Sequence, residues 1–334
     1  METLDMTKTD VKVDNKDLLL KDNKVSSDII PQKSSELKRG IVIEGNVEII
    51  GSVYGEKVVI HHGPVVFNKA VFAKEEFVID SICEGKLLFK ECVGSNAAVS
   101  CIPLSTTAIF CSDINAKRVN LKNSYVGGSI YAEEIYLEDC VVLGGVFATK
   151  KINVVHSVVG TFNSQEVMMS NVCFLLYPSC FSVEPIHSDE TTKLYNLSLA
   201  DLNGLFKGDQ QREGTGKIEI NLKTGSQRTS LKDDDGTMLL VNSYSVAGKV
   251  LAVDMTDFEK LDNHFLINAG ALSSHLMKNY TVTNEKGKKK ALDVEDISKF
   301  FFDIQSQRIQ VDDLDATISF EDLKKKLSDV SQLG

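Results

Sequence analysis

Apolar and polar residues alternate in short runs over the middle of the chain, and these runs recur at a regular spacing. The stretch "GSIYAEEIYLEDCVVLGGVFA" at 128–148 contains two such runs, each with an alanine close to two apolar residues. Alternation with a period of two is typical of a β-strand that buries one face. The pattern therefore predicts a series of short strands, each of about three to five residues.

A small residue in each run marks the repeat. It stands at positions 116, 132, 148 and 164, sixteen residues apart each time, and two looser copies place it at 55 and 73. Gly85 and Ser100 fill the gap between 73 and 116 less regularly. A period of sixteen residues is too short for a strand, a helix and a return strand, so each strand must pair in parallel with the next copy. The repeat predicts a solenoid with an inward-pointing column of small residues at a tight corner: Gly55, Ala73, Ala116, Ala132, Ala148 and Ser164.

The repeat favours this parallel solenoid, or β-helix, over an antiparallel sandwich. A sandwich would also show alternation, but it would not need a repeated small residue, and its hairpins would favour Asn-Gly or Asp-Gly turns. We expect about eight or nine coils between residues 40 and 186, each of about 12 to 18 residues.

Composition divides the chain into three segments. All five prolines and all seven cysteines precede residue 186. Residues 1–39 mix acidic and basic side chains with little apolar periodicity, which predicts a disordered tail. Residues 40–186 form the predicted β-helix, and residues 187–334 are predicted to form a smaller α+β domain.

Within the predicted α+β domain, strands are expected at 216–225, 237–246 and 249–255, and a hairpin is expected at 280–292. Two sequences resemble capping boxes and predict helix starts: Thr256 with Glu259, and Ser319 with Asp322.

Charge and cysteine usage limit the classes of function. A net charge of −10 and a pI near 5.2 argue against a nucleic-acid-binding protein. No secretory leader and no run of about 18 apolar residues is found, which predicts a cytoplasmic protein. The seven cysteines lack C-x-x-C spacing, and we expect reduced thiols in the core: Cys83, Cys92, Cys101, Cys111, Cys140, Cys173 and Cys180.

Motifs for catalysis are missing from the sequence. It contains no phosphate-binding glycine loop, no G-x-S-x-G and no H-E-x-x-H. We therefore predict no catalytic residue, no metal site, no cofactor and no enzymatic activity.

Two apolar clusters are candidates for contacts. "CFLLYPSCF" near the end of the repeat fits either a self-association surface or the plug of the last coil, and its candidate residues are Phe174, Leu175, Leu176, Tyr177 and Phe181. Three leucines in the tail, Leu18, Leu19 and Leu20, stand beside lysines, and they fit either an inert linker or a weak membrane contact.

The coils "GNVEIIGSVYGEKVVI" and "GSIYAEEIYLEDCVVLGGVFA" resemble those of the bactofilins over about residues 40–186. This resemblance implies a right-handed parallel β-helix in a cytoplasmic protein, sometimes membrane-associated, that polymerises end to end without nucleotide. "STTAIFCSDINAKRVNL" at 105–121 is also similar to the β-helical half of the MinC family.

These features predict a non-enzymatic cytoskeletal scaffold that forms a homopolymer through its β-helix. In this hypothesis residues 187–334 recruit a protein partner or regulate assembly. The alternative is a MinC-like regulator of division or morphogenesis, an adaptor that dimerises without forming filaments. An enzyme on a β-helix is disfavoured, because such enzymes have longer coils that gather carboxylates and basic residues on one face.

Overall fold

The computed structural model describes two compact units, Met1–Cys140 and Val141–Gly334. The described residues are 12–14, 17–30, 40–171, 173–175, 180–182, 187–188, 193–196, 222–224, 243–246, 249–252, 259–261, 277, 281–283, 288–306, 308 and 317–319. Side chains are described for 17–30, 40–171, 173, 277, 288, 291–306 and 308.

Short strands make up the first unit. They are β1 (Lys12–Asp14), β2 (Asp17–Val25), β3 (Ile41–Ile49), β4 (Val53–Ile60), β5 (Val65–Phe67), β6 (Val71–Ile79), β7 (Leu87–Phe89), β8 (Val93–Ser95), β9 (Ala98–Cys101), β10 (Ala108–Phe110), β11 (Ile114–Asn115), β12 (Arg118–Lys122), β13 (Ser124–Val126) and β14 (Ile130–Glu138).

Each coil of the first unit contributes to three parallel sheets, which we call sheets I, II and III in the order in which a coil visits them. Their inward side chains are buried and stack in register. Sheet I stacks Leu20, Ile43, Ile60, Ile79, Cys101, Leu121 and Leu137. Sheet II stacks Val25, Ile49, Phe67, Phe89, Phe110 and Val126. Sheet III stacks Ile29, Val53, Val71, Val93, Ile114 and Ile130.

Aromatic side chains fill the core behind sheet II. The ring centroids of Phe67 and Phe89 lie 5.1 Å apart and those of Phe89 and Phe110 lie 4.7 Å apart, both pairs stacked. This separation matches the spacing of adjacent strands, so equivalent residues of successive coils pack directly on one another. The prediction of a mainly β, parallel solenoid is confirmed, with about seven turns. The antiparallel sandwich is ruled out because successive coils pair in parallel.

Coils in the middle of the first unit are longer than predicted. Phe67, Phe89 and Phe110 are in register at separations of 22 and 21 residues. The extra residues form extended corners at 80–86 and 102–107, between sheets I and II. These insertions account for the irregular part of the repeat and for fewer turns than the eight or nine expected.

The extended corners also correct the small-residue column. Gly85 lies in a corner at a φ of 86°, and Ser100 pairs with Val78 in sheet I. Ser95 is the residue that pairs with Ala73. The structure places the predicted column at the end of sheet III, where Gly55 and Ala73 are buried and Ala116 and Ala132 are half-buried.

In the later coils of the first unit, the corners between sheets I and II share a short sequence pattern. Asn123 and Asp139 adopt positive φ, at 47° and 52°, and Ser124 and Cys140 follow them. Asn and Asp tolerate this left-handed conformation better than most residues. Ser124 Oγ and Cys140 Sγ then each donate to the carbonyl two residues earlier, at 2.9 and 3.2 Å. A polar residue followed by Ser or Cys therefore turns the chain tightly enough to begin sheet II.

The first coil begins before the predicted boundary at residue 40. β2 pairs in parallel with β3 from Leu18 to Val25, and Ile29 bridges Val53. The prediction of a disordered tail over 1–39 therefore does not hold for residues 12–14 and 17–30. Sequence periodicity missed this coil because Leu18 and Ile41, which are in register, are separated by 23 residues.

The second unit contains further parallel strands, several antiparallel pairs and a helix. Its elements are β15 (Val141–Val155), β16 (Val158–Ser164), β17 (Glu166–Ser170), β18 (Cys173–Leu175), β19 (Cys180–Ser182), β20 (His187–Ser188), β21 (Lys193–Asn196), β22 (Leu222–Thr224), β23 (Ser243–Val246), β24 (Lys249–Ala252), β25 (Glu259–Leu261), β26 (Thr281–Thr283), β27 (Lys289–Ala291), α1 (Val294–Gln305) and β28 (Thr317–Ser319).

Parallel pairing in the second unit continues past residue 186. β15 pairs with β16 and β17, β16 with β18 and β19, β17 with β20, and β18 with β21. β28 pairs antiparallel with β21. The predicted boundary at 186 therefore falls among strands that pair with one another.

The C-terminal predictions have mixed outcomes. The hairpin expected at 280–292 is present as the antiparallel pair β26–β27, and antiparallel strands lie within all three of the expected strand regions, at β22, β23 and β24. The helix start predicted at Thr256 is wrong, because Glu259 begins strand β25. The second predicted helix, after Ser319, lies outside the described residues.

Ser164 provides a test of core packing. Its side chain is 2% exposed in the small-residue column of the second unit, and its Oγ has no hydrogen-bond partner in the part of the chain that the structure describes. A buried hydroxyl without a partner destabilises a protein by about 1 to 3 kcal/mol. We expect Ser164→Ala to raise the free energy of unfolding by about 1 kcal/mol in urea denaturation.

Ser157→Ala is the matched control for this experiment. Ser157 is equally buried, but its Oγ donates to the Val155 carbonyl at 2.7 Å. The control should lower stability by about 1 kcal/mol. Equal destabilisation by both substitutions would contradict our description of Ser164.

Candidate functional site

The outer surface of the solenoid carries ion pairs that join adjacent coils. Lys24 Nζ lies 2.8 Å from Glu48, Lys57 Nζ lies 2.9 Å from Glu76, and Lys122 Nζ lies 2.6 Å from Glu138. Hydrogen bonds from Lys24 and then from Asn68 lower the pKa of Glu48. Exposed pairs add little stability individually, but opposite charges in register on neighbouring coils favour one alignment of strands over a slipped one.

Carboxylates of the first coil bind backbone amides of the second coil near its corners. Asp17 accepts from Gly40 N at 2.9 Å, Asp22 accepts from Asn46 N at 2.8 Å, and Asp28 accepts from Ser52 N at 2.7 Å. This role was not predicted, because the little apolar periodicity of residues 1–39 predicted a disordered tail there. The regular placement of aspartates along 17–28 was the available signal.

The leucines proposed for membrane contact lie in this first coil. Leu18 and Leu20 face inward, at 9% and 0% exposure, and Leu19 is half-buried on the outward side of sheet I. The three side chains therefore do not form the single exposed apolar surface that an interfacial contact requires. No helix among the described residues is long and apolar enough to cross a bilayer.

A patch of exposed apolar side chains lies on the outward side of sheet III. Ile30 is 54% exposed and Tyr54 is 41% exposed, and the Tyr54 ring stacks on Phe72 at 5.4 Å. A Cβ at Gly94 would lie 3.2 Å from the Phe72 ring, so this glycine leaves room for the ring to lie over the next coil. We call Ile30, Tyr54 and Phe72 the sheet III patch.

The extended corners present a second exposed apolar pair. Ile82 is 62% exposed and Leu104 is 67% exposed. Hydrogen bonds between coils order the two corners, with Leu104 N donating to the Ser81 carbonyl at 3.0 Å and Thr106 Oγ1 donating to the Gly85 carbonyl at 2.7 Å.

The residues predicted for self-association lie only partly within the described structure. The backbones of Phe174 and Leu175 belong to β18, which pairs with β16 on one side and β21 on the other. The backbone of Phe181 belongs to β19, which pairs with β16. Leu176 and Tyr177, and the side chains of all five residues, lie outside the described residues.

The described thiols are mostly buried in the core. Burial raises the pKa of Cys83 to about 11 and that of Cys140 to about 12, and it also raises the pKa of Cys101. Since the thiolate is the nucleophile and the metal ligand, the raised pKa values keep these three thiols protonated at neutral pH and disfavour both roles. Within the described part of the chain, His, Cys, Asp and Glu side chains form no cluster of three that could hold a metal ion.

Helix α1, which was not predicted from the sequence, packs against part of the second unit. Asp293 caps the helix by accepting from Glu295 N and Asp296 N, and the Asp296 carboxylate accepts from Asp293 N at 3.0 Å. Ile297, Phe301 and Ile304 are fully buried, and Gln305 Nε2 donates to the His156 carbonyl at 2.7 Å.

Uninterrupted apolar runs in β15 and β16 indicate that a second layer packs on these strands. Along β15 and β16 every residue from Val141 to Val146 and from Val158 to Phe162 is buried, so these strands have no solvent face. Strands covered on both sides have continuous apolar sequences rather than alternating ones. The run "CVVLGGV" thus indicated a second layer.

No protein-family model, curated protein or solved structure matches the chain. The fold and the surface define the class of protein: a three-sheeted parallel β-solenoid with ion pairs between coils and exposed apolar patches. Because one fold serves many functions, function must be argued from these surfaces.

Phe301 tests how strongly the helix is attached. Truncating a fully buried phenylalanine costs about 3 to 5 kcal/mol. We expect Phe301→Ala to detach α1 and to speed amide exchange across 294–305 while strands β3 to β12 keep their protection. Phe302→Ala, on the half-buried neighbour, is the control and should leave exchange nearly unchanged. Equal exchange in both variants would show that Phe301 does not anchor the helix.

Proposed function

We propose that the protein is a non-enzymatic scaffold that self-assembles end to end through its solenoid. The observation that carries this proposal is the edge of the first coil. Asn23–Val25 pairs with β3 in the same parallel sense as later coils do, and no other described strand pairs with it. A strand edge with unpaired backbone groups is a template for another strand.

The lysines at this edge favour a partner coil that carries carboxylates. Lys21 and Lys24 are 59% and 62% exposed, and each pairs with a glutamate of the second coil, at 3.9 and 2.8 Å. A coil stacking on the other side would be attracted if it carried carboxylates in register with these lysines. Two first coils meeting head to head would instead bring like charges together, so a head-to-tail contact is favoured.

The resemblance of residues 40–186 to bactofilin coils supports the same proposal. From this resemblance the proposal also includes a right-handed solenoid, a cytoplasmic location, a cytoskeletal role in cell shape and assembly without nucleotide. The C-terminal segment from residue 187 would bind a protein partner or regulate assembly.

An ion-pair swap tests the role of the edge. Lys24→Glu combined with Glu48→Lys keeps an ion pair between the first and second coils but reverses the charge at position 24 of the first coil. We expect the wild-type chain to form filaments in a concentration-dependent way, seen by negative-stain electron microscopy and sedimentation without nucleotide. The swapped variant should need about tenfold more protein, a change that corresponds to about 1.4 kcal/mol.

The matched control swaps an interior pair, Lys57→Glu with Glu76→Lys, whose charges are 2.9 Å apart on the third and fourth coils. This control should assemble like the wild type. If no variant forms filaments at any salt or protein concentration, the end-to-end scaffold is ruled out.

The sheet III patch favours a second candidate function, an adaptor that dimerises without forming filaments. Side-chain contacts on a lateral surface can close into a dimer with two-fold symmetry. In that case Tyr54→Lys should convert a dimer to a monomer in sedimentation velocity, whereas Asn115→Lys, an exposed position in the same outward column, should not. A monomeric wild-type protein would contradict the adaptor.

A further inference from the structure

Strand β1 occupies the edge of the first coil at the start of sheet I. It runs antiparallel to β2, with Lys12 opposite Leu19, Val13 opposite Leu18 and Asp14 opposite Asp17. Later coils meet their neighbours in parallel, so β1 is not a coil of the solenoid. It therefore occupies the position that a preceding coil would take in sheet I.

The pairing of β1 is short compared with the pairing between coils. Three residue pairs join β1 to β2, whereas seven join β2 to β3. Only Asn15 and Lys16 separate the paired Asp14 and Asp17, so β1 and β2 are adjacent in sequence. A two-stranded hairpin of this size is marginally stable in water. A coil from a second molecule, which would make more pairs, can displace it at sufficient concentration.

The rest of the edge remains available beside β1. Among the described strands, Asn23–Val25 has a neighbour on the β3 side only. Asn23 pairs with Val47 in register, and among the described residues its buried Nδ2 has no hydrogen-bond partner. A strand edge with a neighbour on one side only can accept a further strand.

From these observations we propose that β1 is a displaceable cap that regulates assembly by competing with a coil of a second copy for the first coil. This inference rests on the proposed end-to-end function and names the segment that controls it. β1 covers the edge of the first coil in sheet I, so a second copy first contacts the edge in sheet II. Full stacking of that copy on the first coil then requires β1 to dissociate from β2. The cap prevents uncontrolled pairing of an exposed edge at low concentration.

Proline substitutions in the full-length chain test the cap. Proline cannot donate a hydrogen bond to a strand ladder. Lys12→Pro with Asp14→Pro should therefore release β1, and amide exchange at Asp17–Leu19 should become faster in the unassembled protein. A cap that is closed about nine-tenths of the time lowers the apparent affinity about tenfold, so the variant should assemble at about one-tenth of the wild-type concentration.

The sequence offers a matched control four residues upstream. Lys8→Pro with Asp10→Pro makes the same replacements at the same spacing before β1 begins. The control should assemble at the wild-type concentration, with unchanged exchange at Asp17–Leu19.

The outcomes separate the cap from the scaffold. Earlier assembly in the Lys12/Asp14 variant, but not in the control, supports the cap. If wild type, variant and control assemble at the same concentration, the cap is wrong and the scaffold stands. If none of them assembles, the scaffold fails and the cap fails with it. If both proline variants assemble early, the effect belongs to the N-terminal segment in general and the cap is also wrong.

Discussion

Parallel pairing between successive coils is the interaction on which the described structure depends. A strand in this solenoid bonds to the coils before and after it rather than to its neighbours in sequence, as Phe67, Phe89 and Phe110 show by standing in one column. The same register places apolar side chains over one another in the core and opposite charges over one another outside. Since each coil is ordered only by adjacent coils, stability is carried by the contacts between coils, as in other solenoids.

Because each coil is stabilised by its neighbours, the coils at the ends of a solenoid make interactions that interior coils do not need. The first coil uses aspartates to bind amides of the second coil, and it carries exposed lysines that have a partner on one side only among the described pairs. Antiparallel strands appear at such places: β1 pairs with β2, and β28 pairs with β21 in the second unit. An antiparallel strand satisfies backbone groups without providing the start of another parallel coil, so it ends the stack locally.

The sequence predicted the coils that repeat at a regular spacing. It did not predict the first coil or helix α1, which do not follow that spacing. The sixteen-residue spacing of Ala116 and Ala132 identified parallel coils, because only a solenoid repeats a corner so regularly. The first coil was missed because 23 residues separate Leu18 from Ile41, and the helix was missed because its capping residues, Asp293 and Asp296, were not recognised. Surface patches could not be predicted, since alternation marks Tyr54 as outward-facing without showing whether a neighbour covers it.

Contacts through the coil edge and through the sheet III patch would give assemblies with different symmetry. A contact through the sheet III patch uses side chains on a lateral surface, and two copies can satisfy each other and close as a dimer. A contact through the coil edge uses backbone groups that point along the stack, so it joins two different surfaces and does not close by two-fold symmetry. The lysines at the first coil disfavour pairing of two identical edges, and this leaves head-to-tail addition as the arrangement that matches both the strand direction and the charge.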